Sequence, residues 1–135
     1  MTVPLGTTAP ARPALSARNK TGLILAILLA LAELQSPLHL GPNYKPGTDG
    51  PPVPIAVGGA ALGLVTVIAA IYMWVSRNRV GGRIVAGTRI LWLIGAIPAF
   101  FTSGVPAPIL VGVAAGVVVT VVTVMLVLAR PKPAA

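Results

Sequence analysis

Residues 54–83 read PIAVGGAALGLVTVIAAIYMWVSRNRVGGR: an uncharged run over residues 54–76, followed by a short segment that carries three arginines. An apolar run of about 17–25 residues is long enough to cross the hydrocarbon of a bilayer as one helix. Arginines directly after such a run are typical of a loop on the cytoplasmic side. The segment therefore predicts a membrane-spanning helix and also its orientation.

The same pattern recurs along the rest of the chain. Residues 22–40 and 90–129 are also long and almost free of charge. Eight of the ten basic residues form three clusters between and beyond these runs: Arg12, Arg18 and Lys20; Arg77, Arg79 and Arg83; Arg130 and Lys132. Of the 135 residues, 56% are apolar and only 9% are charged, whereas a soluble domain carries about 25% charged residues. The predicted fold class is therefore all-α, a polytopic integral membrane protein whose solvent is lipid.

Four transmembrane helices are predicted within one domain over residues 21–130. The segment TSGVPAP at residues 102–108 divides the longest apolar run, because two prolines and a glycine disfavour a helix. The segment SRNRVGGR at residues 76–83 is predicted as a tight basic turn. The predicted helices cover about residues 22–40, 54–76, 84–101 and 108–129, between a disordered cytoplasmic tail (1–20) and a short cytoplasmic tail (131–135).

This threading places every strongly basic segment on one side of the membrane. The positive-inside rule then predicts a multi-pass protein of the plasma (inner) membrane with both termini cytoplasmic. The Ala-, Val-, Arg- and Pro-rich composition is similar to that of membrane proteins from high-GC bacteria. A different interpretation is a signal peptide, because Ala30-Leu31-Ala32 matches a small-x-small cleavage pattern. Cleavage after Ala32 would leave three helices and an exported N-terminus.

An internal repeat is visible when the sequence is shifted by 54 positions. PVPIAVGGAALGLVTV, starting at Pro52, then faces PAPILVGVAAGVVVTV, starting at Pro106. Helices 1 and 3 match less well, through pairs such as Thr21/Thr88 and Ser36/Ser103, which need a longer shift. These matches predict two tandem helical hairpins of the same orientation. The alternative is shared Val/Ala/Gly composition without duplication.

Small residues at four-residue spacing predict close helix packing. Gly59 and Gly63 form such a pair on helix 2, and Gly112 and Gly116 form one on helix 4. In lipid, helices gain little hydrophobic energy by associating, so the close backbone approach that glycine permits matters more. The two motifs are predicted to pack inside the monomer, against each other or elsewhere, or to form an interface with another chain.

Glu33 is the only acidic residue within the apolar runs. A charge at mid-membrane costs about 2.5–3.5 kcal/mol on insertion scales, so Glu33 is predicted to face the bundle or an aqueous cavity. With Gln35 and His39 it forms a candidate proton or cation site. Arg89 is predicted to extend its long side chain to the cytoplasmic headgroups. Pairing of Arg89 with Glu33 requires an axial displacement of helix 3, because their predicted depths differ.

Chain length, four helices and the pair Ala32-Glu33 resemble the small multidrug resistance transporters. That resemblance implies proton and cation exchange at one membrane glutamate. It covers only a few residues of helix 1. A long Pro/Gly loop replaces the short first loop of that family, and the aromatic-rich substrate helices have no counterpart here, so no family is assigned.

The sequence carries no pattern typical of an enzyme. It has no cysteine and a single histidine, which excludes thiol chemistry and the usual zinc spacings, so no metal and no cofactor are predicted. The net charge of +8 marks topology rather than a nucleic-acid surface, since no aromatic residues interleave the cations. The expected partners are the lipid bilayer and a second copy or another membrane protein. The preferred function is a non-catalytic accessory or self-associating membrane protein; the alternative is a proton- or cation-coupled transporter using Glu33.

Overall fold

Four α-helices form the fold in a computed structural model that describes residues 12–46 and 48–130. The helices are α1 (Ala17–Gln35), α2 (Val53–Ser76), α3 (Arg79–Ala96) and α4 (Ala107–Leu128). Each is long and apolar enough to span a membrane, counting the 3₁₀ turns that extend α1 to His39 and α3 to Phe100. The predicted fold class, an all-α polytopic membrane protein with four helices, is therefore confirmed.

The helices form a ring in chain order. Each packs against its neighbours in the sequence, and α4 closes the ring on α1. At one end of the bundle, the Asn19 side-chain nitrogen lies 2.9 Å from the carbonyl oxygen of Ala129. The Arg79 guanidinium lies 3.5 Å from the same oxygen. We call this the basic end, because the arginines before α1, between α2 and α3, and after α4 meet there; the other end is the loop end.

The start of α3 differs from the prediction. The helix begins at Arg79, five residues before the predicted start at Ile84. The Asn78 side chain caps it by accepting a hydrogen bond of 3.0 Å from the Val80 amide. Arg77 takes a left-handed conformation with φ of 54°, which turns the chain between α2 and α3. Most of the predicted basic turn is therefore helix.

The start of α1 is also earlier than predicted. Ser16 caps the helix by accepting a hydrogen bond of 3.1 Å from the Asn19 amide. Residues 17–20, assigned to the disordered tail in the prediction, are consequently helical. The remainder of that predicted tail up to residue 11, and the predicted tail at 131–135, lie outside the described residues.

Proline positions relate the two halves of the chain. Pro52 and Pro106, which are 54 positions apart, are the N-cap residues of α2 and α4. Pro37 and Pro98, which are 61 positions apart, lie in the 3₁₀ turns that end α1 and α3. The starts of α2 and α4 thus follow the predicted shift of 54 positions. The overlay predicted for helices 1 and 3 has the wrong register, because caps and prolines fix the ends of these helices and scattered identities do not.

The buried core lies toward the basic end. It contains Leu23, Ala26, Ala69, Ala70, Met73, Val85 and Val127. Glycines bring the backbones together there: a Cβ on Gly22 would lie 2.8 Å from the Val127 nitrogen, and one on Gly81 would lie 2.7 Å from the Ala69 carbonyl oxygen. In the half toward the loop end, by contrast, α4 buries no residue before Thr120 and α3 buries none after Arg89. The bundle is tightly packed toward the basic end; in the other half, which we call the open half, α3 and α4 bury no residue, although α2 still buries Ala56 and Gly63.

The loop between α1 and α2 is held by hydrogen bonds among its described residues. The Asp49 carboxylate accepts a bond of 2.9 Å from the Lys45 amide, and the Tyr44 hydroxyl donates to the Pro51 carbonyl. Partial burial raises the pKa of Tyr44 above its ordinary 10.0, and the nearby Asp49 carboxylate raises it further.

Candidate functional site

An ion pair lies inside the bundle between Glu33 of α1 and Arg89 of α3. The two terminal nitrogens of Arg89 donate to the two carboxylate oxygens of Glu33 at 2.6 and 2.7 Å. The Arg89 side chain is fully buried and that of Glu33 is 11% exposed. Glu33 faces the bundle, as expected. The prediction that Arg89 extends to the headgroups is wrong, because its guanidinium is paired inside the protein.

The early start of α3 explains how the pair forms. Asn19 and Arg79 both approach Ala129, so they lie at similar depth. At 1.5 Å per residue, Glu33 is about 21 Å above Asn19 and Arg89 is about 15 Å above Arg79. The remaining difference of about 6 Å is within the reach of the long arginine side chain. A helix that began at Ile84 would leave Arg89 only about 8 Å deep, too far from Glu33.

Two threonines extend the ion pair into a network. The Thr66 hydroxyl of α2 accepts a bond of 3.2 Å from Arg89. It also lies 2.7 Å from the Thr88 hydroxyl of α3, and both hydroxyls are buried. Thr66 donates to the Leu62 carbonyl at 2.7 Å. Three helices therefore hold the guanidinium, which fixes their relative rotation and depth.

Gly63 makes room for this network. A Cβ on Gly63 would lie 2.9 Å from the Ala30 carbonyl oxygen and 3.3 Å from a Glu33 carboxylate oxygen. A hydrogen at this position lets α2 approach α1 where the carboxylate lies. One of the predicted packing glycines thus belongs to the surroundings of the predicted ion site.

The fourth helix contributes a hydroxyl at a similar depth. A Cβ on Gly82 would lie 3.2 Å from Val127, and one on Gly116 would lie 3.0 Å from the Trp92 ring. This antiparallel register places Thr120 of α4 near the level of Arg89. Among the described residues, the Thr120 hydroxyl and Arg89 Nε are the buried side-chain polar atoms without a hydrogen-bond partner. A neutral ion pair surrounded by hydroxyl groups thus crosses the bundle.

Gln35 and His39 do not join the network. Both side chains are exposed, and the His39 ring nitrogen Nδ1 lies 2.9 Å from the Gln35 carbonyl oxygen. They lie at the end of α1 and in the turn that follows. The three residues predicted as one site are therefore separated into a paired carboxylate in the bundle and two polar groups near the loop end.

The residues missed by sequence reasoning are Thr66, Thr88 and Thr120. The sequence contained an indication of their position, because a hydroxyl in an apolar helix favours the interior of the bundle over lipid. Thr66 and Thr120 also match each other in the 54-residue repeat. Both are fully buried, so the repeat identified a pair of inward-facing positions.

The four predicted packing glycines divide into two classes. A Cβ on Gly63 or Gly116 would meet this chain's own atoms, whereas one on Gly59 or Gly112 would have no other atom within 4 Å among those of the described residues. Each of α2 and α4 packs against α1 and α3, which places the two across the bundle from each other. Within one copy, the glycines of the two motifs therefore do not contact each other.

The network is suited to holding helices together. Pairing removes the net charge that would make an isolated carboxylate or guanidinium costly in lipid. Bidentate geometry adds directional bonds to the attraction between the charges. No protein-family model, curated protein or solved structure matches the chain.

Proposed function

We propose that this chain is a non-catalytic membrane protein that associates with further copies of itself through small-residue surfaces in the open half of the bundle. One observation carries the proposal: a Cβ on Gly59 or Gly112 would meet no described atom within 4 Å beyond its own helix turn, whereas one on Gly63 or Gly116 would meet another helix. Glycine in a helix interior costs roughly 0.5–1 kcal/mol relative to alanine. A second helix packed closely against these positions would offset that cost.

The repeat supports a second copy as the partner. Gly58 and Gly112 are equivalent under the 54-residue shift, and both positions have open space around them among the described residues. They lie on α2 and α4, across the bundle from each other. One copy therefore offers two similar surfaces on opposite sides, and the α2 surface of one copy can meet the α4 surface of the next. Such head-to-tail contacts close into rings or extend into chains.

The same proposal includes a location. The concentration of arginines at one end favours that end as the cytoplasmic one by the positive-inside rule. Both termini would then be cytoplasmic, and the loop between α1 and α2 would be outside. The composition favours the inner membrane of a bacterium. The partners are accordingly lipid and further copies of this chain.

Self-association is tested by native mass spectrometry of the protein released from lipid nanodiscs. We expect the wild type to give dimers or larger species. Gly112→Leu should weaken association by on the order of tenfold, because the added side chain holds the helices apart. Gly95→Leu is the matched control: it makes the same change at another open position in the same half, but on α3. A wild type that is monomeric at every concentration contradicts the proposal.

A proton- or cation-coupled transporter is the second candidate function. Its support is that the Glu33 side chain keeps 11% exposure and that unpartnered polar atoms lie on Arg89 and Thr120. A proton or cation would have to displace the guanidinium from both carboxylate oxygens. This requirement makes transport the weaker candidate.

The two candidates differ in what the double variant E33Q/R89Q does. It removes both charges and leaves an amide that can hydrogen-bond at each position; glutamine matches glutamate in size but is shorter than arginine. If the protein is a transporter, the variant should fold but lose pH-driven solute uptake in proteoliposomes. We expect instead that a wild-type and a variant proteoliposome show the same uptake for a panel of cationic solutes, and that both self-associate. A pH-driven uptake present only in the wild type would contradict this expectation.

A further inference from the structure

A cleft at the basic end is lined by three arginines. It has a volume of about 190 Å³ and lies between the start of α3 and the end of α4. Arg79, Arg83 and Arg130 contribute its charged groups, and Met73, Val127 and Leu128 contribute apolar ones. The cleft is distinct from the Glu33–Arg89 network and from the open glycine surfaces.

The charge of this cleft is not balanced by the protein's acidic side chains. The chain has two acidic residues. Glu33 is paired with Arg89 inside the bundle, and Asp49 lies in the loop at the other end, where its carboxylate accepts from Lys45. The Arg79 guanidinium lies 3.5 Å from the carbonyl oxygen of Ala129, which is a long distance for a hydrogen bond. Three guanidinium groups around one cleft favour an anion with several oxygens, and phosphate matches their planar, bidentate geometry.

The depth of the cleft in the membrane and its apolar lining (Met73, Val127 and Leu128, called the apolar wall) indicate which kind of anion fits. Val127 and Leu128 form the last turn of α4, a helix long enough to cross the membrane, so the cleft lies at the depth where lipid headgroups lie. Leu128 remains 44% exposed and continues the apolar surface of α4 toward the hydrocarbon. A lipid would place its phosphate among the arginines and its acyl chain along this surface. Basic pockets between transmembrane helices bind anionic headgroups in this way.

We propose that the cleft formed by Arg79, Arg83 and Arg130 is a binding site for the phosphate of an anionic membrane lipid. The guanidinium groups donate to the phosphate oxygens, and the exposed Leu128 contacts the upper acyl chain, while the buried Met73 and Val127 form the floor of the cleft. Bound lipid would screen the repulsion among the three cations and would join the α2–α3 turn to the end of α4.

The site is tested by titrating phosphatidylglycerol into the detergent-solubilised full chain and counting bound lipids by native mass spectrometry. The variant R83Q/R130Q removes two charges from the cleft; R18Q/K20Q removes two from α1 at the same end. We expect R83Q/R130Q to weaken lipid binding by on the order of tenfold and R18Q/K20Q to change it less than twofold. Gel filtration and circular dichroism check that both variants fold.

Two comparisons distinguish a lipid site from general attraction to surface charge and from a site for free phosphate. Equal losses in the two double variants would mean general attraction to surface charge, and would overturn the proposal. Phosphatidylcholine should bind at least tenfold more weakly than phosphatidylglycerol. Inorganic phosphate at millimolar concentration should leave lipid binding unchanged, because it cannot use the apolar wall. Competition by inorganic phosphate at micromolar concentration would identify a site for free phosphate and would overturn the assignment to lipid.

Discussion

At the scale of single residues, the Glu33–Arg89 pair shows what sequence can and cannot predict. One acid in an apolar helix has few stable positions, so the inward direction of Glu33 was predictable from insertion energies. Its pairing with Arg89 was not predictable, because the depth of Arg89 in the membrane depends on where α3 begins. The glycines at 81 and 82 disfavour a helix by propensity. In the folded bundle, however, Gly81 lies against the Ala69 carbonyl, and tertiary packing outweighs propensity.

The pair predicts a non-additive effect on stability. Glu33→Gln alone leaves a buried guanidinium without its counter-charge and should cost about 3–5 kcal/mol. The double variant E33Q/R89Q should recover much of that loss, since no net charge remains in the bundle. Equilibrium unfolding in SDS-containing mixed micelles measures the free energies. Equal and additive losses from the two single substitutions would mean that the pair does not couple α1 to α3.

At the scale of helices, caps and prolines decide where each element begins and ends. Pro52 and Pro106 are the N-caps of α2 and α4, two residues before the predicted starts at 54 and 108. The starts were predictable to this extent because proline is tolerated in the first turn of a helix and not in its interior. Ser16 and Asn78 start α1 and α3 by side-chain capping. Capping residues are common in loops as well, so their role could be assigned only once the helices were placed against each other.

The two classes of glycine on α2 predict opposite outcomes for one substitution. Gly63→Ala should destabilise the monomer by on the order of 1–3 kcal/mol, because the new Cβ would lie 2.9 Å from the Ala30 carbonyl oxygen. Gly58→Ala should leave the monomer unchanged or slightly more stable, since its Cβ would meet no described atom within 4 Å beyond its own helix turn. Thermal unfolding of both variants in the same detergent tests this. Equal destabilisation would contradict the packing of α2 against α1 at Gly63.

At the scale of the whole molecule, charge and packing are both asymmetric. The core and the arginines lie toward one end, whereas the open glycines of α2 and α4 lie in the other half. The charge asymmetry was readable from the sequence, because cations between apolar runs mark a loop. The packing asymmetry could not be predicted from the sequence. Gly59 and Gly63 lie in similar apolar, small-residue surroundings along the chain and differ only in whether another helix packs against them. The tightly packed half has little surface free for further contacts, whereas the open half leaves the Gly59 and Gly112 positions uncovered.

Cysteine cross-linking in native membranes tests self-association most directly, since the chain contains no cysteine of its own. The double variant Gly58→Cys/Gly112→Cys places a thiol on each proposed surface, and Gly95→Cys places one on α3 as the control. With a short bifunctional maleimide we expect the double variant to give cross-linked dimers and longer ladders and the control to give monomer. Monomer from the double variant, or equal cross-linking from both, would contradict self-association through these glycine surfaces.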